Sequence, residues 1–291
     1  MSATPSNISI PSVLSVSVSD PSGATGVSAD LRTYALLGVY GTAILTTLAA
    51  GSTRGVAGTL PVPPRFVSSQ LEALLDDATV QGVKVGMLGG VETVRVVTRM
   101  LAVRGVRPLV VDPALSAGDG AEPIGDEAVA MLRAELLPLA TVLTASASEA
   151  GALLGTDAPT TLDEMSDAAR ALAGLGPSWV LLSGGQIDGG TACVDVLTDG
   201  SETQELRVPR VGGRDPLGAG DTLSAALTAL LALGGDVPTA AGAAQRYVAA
   251  SIEASDALAV GPGRTPLRQL PWANAGQDVR SAMERPRRRW K

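Results

Sequence analysis

The apolar positions fall in short runs, and longer stretches of helical period separate the runs. Residues 13–19 alternate apolar and small side chains, which is the period of a strand. A Gly/Ser/Pro turn occupies 20–26, and 27–37 has helical spacing closed by Gly38. The same rhythm continues. It predicts strands over 43–49, 83–88, 108–111, 141–144 and 179–182. It predicts helices over 66–75, 91–103, 124–136, 148–154 and 162–173, and a loop over 51–58. The pattern then changes. Residues 191–197 and 204–211 flank Asp199-Gly200, the signature of a β-hairpin. Helices over 218–233 and 238–255 follow, and from Gly261 onward no period is evident.

Strands alternating with helices of about 10–15 residues imply parallel βαβ units, with helices on both faces of a mostly parallel, doubly wound α/β sheet. Ligands in such sheets bind beyond the carboxyl ends of the strands. Asp20, Asp112, Ser146 and Ser183 fall there. No internal repeat or second domain is evident. A flexible lead over 1–11, a single domain over 12–272 and a basic, disordered tail over 273–291 are expected.

Composition narrows the chemistry. The chain has 291 residues, no histidine and one cysteine, so a His base, a His-ligated metal and an internal disulfide are all excluded. Cys193 sits in an apolar run and reads as a buried structural thiol. The net charge of −7 argues against nucleic acid as a partner. Neither a basic-then-apolar leader nor a membrane-length apolar run is present, so a cytoplasmic location is expected.

Three stretches could carry chemistry. Gly218-Ala219-Gly220-Asp221 opens a predicted helix, whose first-turn N–H groups and dipole suit an anion. Asp221 would lie beside a bound phosphate and could take a proton from an attacking hydroxyl. A plain glycine-rich helix start fits the local sequence equally well. Asp20 to Gly26, with Asp30 beyond it, is a turn at the end of the first strand, or a strand-to-helix turn with a capping Asp. Asp112, extended by Pro113, and Glu149 could hold Mg²⁺ beside phosphates, although Glu149 also suits a plain first-turn glutamate.

Taken together, the chain resembles the ribokinase-like superfamily, in its branch of hydroxymethylpyrimidine and phosphomethylpyrimidine kinases of thiamin biosynthesis. The motifs that carry this are Ser19-Asp20-Pro21-Ser22-Gly23 through Ala29-Asp30-Leu31-Arg32-Thr33, Thr53-Arg54-Gly55, Lys84-Val85-Gly86-Met87-Leu88, Val111-Asp112-Pro113, Ser146 through Ala150, and Gly218 through Leu227. The resemblance spans about residues 13–266. It implies an ATP-dependent kinase for a hydroxymethyl-type alcohol, and usually a homodimer. Asp221 would be the base, and the backbone around Gly218, Ala219 and Gly220 the anion hole. Asp112 and Glu149 would hold Mg²⁺. Ser183, Gly184, Ser146 and Gly261 fall at the ATP site, and Asp30, Met87, Val18 and Gly51 at the acceptor pocket.

The departures are specific. Val18 replaces a glycine, and Gly51-Ser52 replaces a Gln-Asn pair whose glutamine helps recognise the pyrimidine. Asp221 stands where the branch carries Cys, and Ser146 where it carries a metal-site Asn. Ser183 stands where it carries a phosphate-binding Lys, and no basic residue follows Asp112-Pro113 through Gly118. Loss of a cation on the transferring phosphoryl group costs on the order of 10²–10³ in rate, and Arg214 or Arg264 could replace it. Three readings follow: a kinase with a shifted substrate, a thiamin-pathway kinase that tolerates the changes, and a weak or inactive relative that binds a nucleotide or small ligand as a regulator.

Overall fold

The computed structural model describes residues 10–115, 124–185, 187, 190–212 and 216–269. Arg214, the stretch 116–118 and the basic tail lie outside them. The strands are β1 (Ser12–Ser19), β2 (Tyr40–Ser52), β3 (Gly55–Pro61), β4 (Val83–Val85), β5 (Leu109–Val111), β6 (Val142–Ser146), β7 (Val180–Ser183), β8 (Ala192–Thr198), β9 (Thr203–Pro209), β10 (Pro216–Leu217) and β11 (Thr265–Pro266). The helices are α1 (Gly26–Leu37), α2 (Pro64–Asp77), α3 (Val91–Arg104), α4 (Asp126–Met131), α5 (Ala147–Leu154), α6 (Leu162–Ala173), α7 (Ala219–Ala232) and α8 (Val237–Glu253).

Nine strands form one sheet in the order β3-β2-β1-β4-β5-β6-β7-β8-β9. From β2 to β7 every pair is parallel. The edges are antiparallel: β3 on β2 at one side, the β8–β9 hairpin at the other. The alternating pattern therefore gives the α/β architecture it predicts.

The sequence of the central strands explains their place. β5, β6 and β7 are apolar on both faces, as strands covered by helices on both sides must be. Val111, Leu143 and Leu182 point into a core with α2 to α6, while Val110, Val142 and Leu181 point into a second core with α1, α7 and α8. α7 is buried along most of its length, with Thr222 through Leu231 all inside.

Four expectations change. Residues 55–58, read as loop, belong to β3; this edge strand is largely exposed, so no apolar alternation marks it. The strand expected over 83–88 pairs only over Val83–Val85. The helix expected over 124–136 is α-helical only to Met131 and continues as a π-helical segment over Leu132–Leu136. The unpatterned stretch after Gly261 forms β11, which pairs with β10 just before α7.

Two irregularities set up the site. The β1–β2 register slips between Ser17 and Val18, which re-aims the end of β1. Gly218 has φ +89°, and a Cβ there would lie 1.8 Å from the Ala24 carbonyl oxygen. Only glycine fits, so the turn after β1 and the start of α7 touch through backbone.

Candidate active site

The first helical bond of α7 runs from Thr222 N–H to the Gly218 carbonyl, at 3.0 Å. The N–H groups of Ala219, Gly220 and Asp221 precede it and have no acceptor within the helix. With the helix dipole behind them, they are groups that could hold an anion. Asp221 sits in this first turn with its side chain 19 % exposed.

Beneath Asp221 lies a group the sequence did not assign. Lys84, the centre of β4, points to the α1/α7 face and is completely buried. Its Nζ donates to Asp30 Oδ1 at 2.6 Å and to Asp221 Oδ1 at 2.9 Å, and lies 3.9 Å from Asp112 Oδ2. Burial alone would lower the Lys84 pKa, but the charges of Asp221, Asp30 and Asp112 together raise it well above its ordinary value. The ammonium is therefore charged. Burial pushes Asp30 up to about 6, against the opposing pull of Lys84. Asp30 Oδ2 also accepts from Ser15 Oγ at 2.5 Å. Asp30 is thus wholly enclosed behind Asp221 and is not in a pocket wall, where the resemblance had placed it.

Asp112 follows β5, and its N–H bonds the Val85 carbonyl at 2.8 Å. Ser224 Oγ donates to Asp112 Oδ2 at 2.6 Å. Burial, with Glu149 and Asp221 nearby, pushes Asp112 up to about 7 despite Lys84. Glu149 closes a capping box with Ser146. Its Oε2 accepts from Ser146 N at 2.8 Å and Ser146 Oγ at 2.7 Å, and Ser146 Oγ accepts from Glu149 N. The first-turn role weighed for Glu149 is therefore present, and Ser146 serves as the N-cap of α5. Among the described residues no cluster of three or more His, Cys, Asp or Glu could hold a metal. Asp112 and Glu149 form a close pair of hard oxygen donors beside the anion site. That fits Mg²⁺ held by one or two carboxylates together with substrate phosphates.

Two cavities flank the start of α7. The first has an empty volume of about 420 Å³ and is lined by Val18, Asp20, Gly51, Thr53, Leu217 and Arg264, among others. Val18 and Gly51, both expected at an acceptor pocket, line this cavity together. Met87 is buried and does not line this cavity; its carbonyl accepts from Thr46 Oγ1 at 2.6 Å. Gly261 also changes sides. A Cβ on it would meet Thr53 Oγ1 at 2.4 Å, so it packs on the β2–β3 turn and does not line the cavity next to Ser183. Arg264 anchors the same strap. Its N–H bonds Thr53 O at 2.8 Å, and its Nη2 bonds Pro216 O at 2.9 Å, one residue before Leu217.

The second cavity is the larger, with an empty volume of about 800 Å³. Ser183, Cys193, Asp195, Ala219, Gly220 and Gln245 contribute to its wall. Gly184 supports it from behind, donating its N–H to Asp195 Oδ1 at 2.9 Å. Burial pushes Asp195 up to about 6, and burial with the Asp195 charge pushes the Cys193 thiol up to about 11. Sequence reasoning missed Lys84 and Asp195. The available signal was a charge inside a strand of otherwise apolar residues, Val83-Lys84-Val85 and Val194-Asp195-Val196.

Similarity to known proteins falls on this same arrangement. The family described as phosphomethylpyrimidine kinase matches residues 20–268. A hydroxymethylpyrimidine/phosphomethylpyrimidine kinase of Streptomyces coelicolor is 39% identical over 263 residues, covering 90% of this chain and 96% of that protein. A thiamine biosynthetic bifunctional enzyme of Arabidopsis thaliana is 38% identical over 90% of this chain, which spans only 50% of its length. Among solved structures, an ADP complex of Bacillus subtilis pyridoxal kinase superposes with a TM-score of 0.82 at 30% identity, covering 90% of this chain and 98% of that one.

Proposed function

The chain belongs to the phosphomethylpyrimidine kinase family, and from that premise we propose that it transfers the γ-phosphate of ATP to a hydroxymethyl group on a nitrogen-containing aromatic ring. The observation that carries this reading is the placement of Asp221. Its carboxylate stands in the first turn of α7, and the residues just before it line both cavities, Leu217 the first and Ala219 and Gly220 the second. The cavity lined by Ser183, Asp195 and Gln245 takes the nucleotide, and the one lined by Val18 and Gly51 takes the alcohol. Relatives named for pyrimidine and pyridoxal kinases both match, which supports a ring-borne hydroxymethyl group as the acceptor.

In the reaction, the acceptor O–H breaks and its proton passes to Asp221. The oxygen forms a bond to the γ-phosphorus. The bond from that phosphorus to the bridging oxygen breaks, and ADP leaves with the electron pair. The N–H groups of Ala219, Gly220 and Asp221 stabilise the charge on the moving phosphoryl group. Asp112 and Glu149 would hold Mg²⁺, which neutralises phosphate charge when bound. Arg264, bonded to Pro216 O two residues before Gly218, is one described cation that could take over from the missing lysine.

The expected homodimer would use the β2–β3 edge and the start of α2, where Leu48 and Leu60 of the strands and Phe66 of the helix are exposed. No described helix is long and apolar enough to cross a membrane. A cytoplasmic location agrees with the lone Cys193 remaining a thiol. The deciding experiment measures ADP release with Mg²⁺ against hydroxymethylpyrimidine, pyridoxal, nucleosides and sugars, with Asp221→Asn as control. Turnover of a ring-borne hydroxymethyl compound, lost in the variant, is the expected result. Tight ATP binding with no turnover on any acceptor would replace this reading with that of a nucleotide-binding regulator.

A further inference from the structure

Lys84 is more heavily partnered than charge balance requires. One buried ammonium needs one buried carboxylate, and Asp30 supplies it at 2.6 Å, both side chains being 0% exposed. Ser15 fixes the other oxygen of Asp30, so this pair is closed from both sides. Asp221 is different. Its side chain reaches solvent, so it has no need of a counter-ion to be tolerated. Lys84 nevertheless spends a second proton on it, at 2.9 Å, and the bond goes to Oδ1. A single ammonium thus ties β4, α1 and the first turn of α7 together at the proposed base. Ser224 stands one turn later, its hydroxyl 2.6 Å from Asp112 Oδ2 and 2.9 Å from the Gly220 carbonyl, with a single proton to give to one of them at a time.

We propose that Lys84 is a positioning residue for phosphoryl transfer: it pins Asp221 Oδ1, so that Oδ2 is presented to the acceptor hydroxyl, and Asp30 is the buried anchor that keeps the ammonium in place. The assignment rests on the kinase reading above and deepens it. Lys84 is completely buried and bonds Asp221 directly, so it acts through the base. A carboxylate free to rotate would spend most of its time away from the reacting oxygen, and misplacement of about 1 Å can cost on the order of 10²-fold in rate.

Removing Lys84 alone would strand Asp30 without a partner and risk unfolding. The test therefore compares D30N with K84M/D30N, in which the buried pair is replaced as a unit. Thermal unfolding establishes that both fold, and K84Q/D30N takes the place of the methionine variant if that one does not. Steady-state kinetics with ATP and the accepted alcohol then give kcat and both KM values. The expected result is a kcat for K84M/D30N about 100-fold below D30N, with each KM within about threefold. A kcat within about threefold of D30N would overturn the proposal, because a purely structural lysine is dispensable once its partner is neutral. A rise in KM with kcat unchanged would overturn it too, moving Lys84 to substrate binding. A wild-type enzyme silent on every acceptor would instead remove the kinase reading, and the proposal with it.

Discussion

The two cavities beside the start of α7 are walled by different means. The smaller one is shaped by chain path. Gly261 and Gly263 press against Thr53, where a Cβ on Gly263 would lie 2.0 Å from the Thr53 carbonyl oxygen, and a Cβ on Gly51 would lie 3.0 Å from Asp20 Oδ1. Asp20 itself is fully engaged, accepting from Ser22 and Thr25. The larger cavity is shaped by side chains over a buried carboxylate, Asp195, which holds the Gly184 turn. A wall made of backbone can be adjusted by adding atoms to it. A wall supported by a buried charge responds to pH and tolerates little change.

Asp221 directly follows residues that line both cavities, and its loss is the largest effect expected. Asp221→Asn lowers kcat by about 10³-fold, since general-base loss typically costs 10²–10⁴, and it also lowers thermal stability, because the buried Lys84 ammonium loses an ion partner. A variant with full turnover would take the base role away from Asp221 and leave the two cavities without a common reaction.

The next effect belongs to the nucleotide side. Asp195 is pushed from 3.8 up to about 6 by burial. As pH rises from about 4 to about 6, the unfolded chain gives up this proton while the folded chain keeps it, so the group's contribution makes stability fall with pH. Asp195→Asn, which keeps an acceptor for Gly184, removes a fall of about 2 kcal/mol over this interval. Denaturant unfolding at the two pH values checks it. Identical pH slopes in the two proteins would mean that no buried charge underlies this wall.

On the acceptor side the expected effect is smaller and graded. Gly51→Gln requires only a slight shift of Asp20 and narrows the cavity with an amide. KM for hydroxymethylpyrimidine should fall by about tenfold, the scale of one to two added hydrogen bonds. A rise in KM for that compound would instead point to an acceptor too large to share the space with glutamine. The smallest effect concerns the cap beside the proposed metal pair. Ser146→Ala should cost about 1 kcal/mol of stability, read by denaturant titration, and a neutral result would mean that Glu149 holds α5 without it.

Much of the frame was legible. The helix over Leu162–Ala173 matches its periodicity residue for residue, because Thr161 and Glu164 form a capping box that marks its start. The hairpin around Asp199-Gly200 is equally local in origin. β3 was not legible, since an exposed edge strand carries no burial pattern. Asp30 and Lys84 were visible as residues but not as a pair. They are 54 positions apart, and Lys84 and Asp221 are 137 apart.

The sequence by itself determined the alternation of strands and helices, the glycine turn that begins α7, and the presence there of a carboxylate able to act as a base. These depend on local periodicity, on backbone freedom at glycine and on unpaired N–H groups at a helix start, all of which are written in consecutive residues. Only the tertiary structure decided which carboxylates share one ammonium, which side Gly261 serves and which oxygen of Asp221 stays free. The physical reason is that the effect of a charge depends on its burial and on its nearest partner, and both are set by chain segments that meet only when the sheet is assembled.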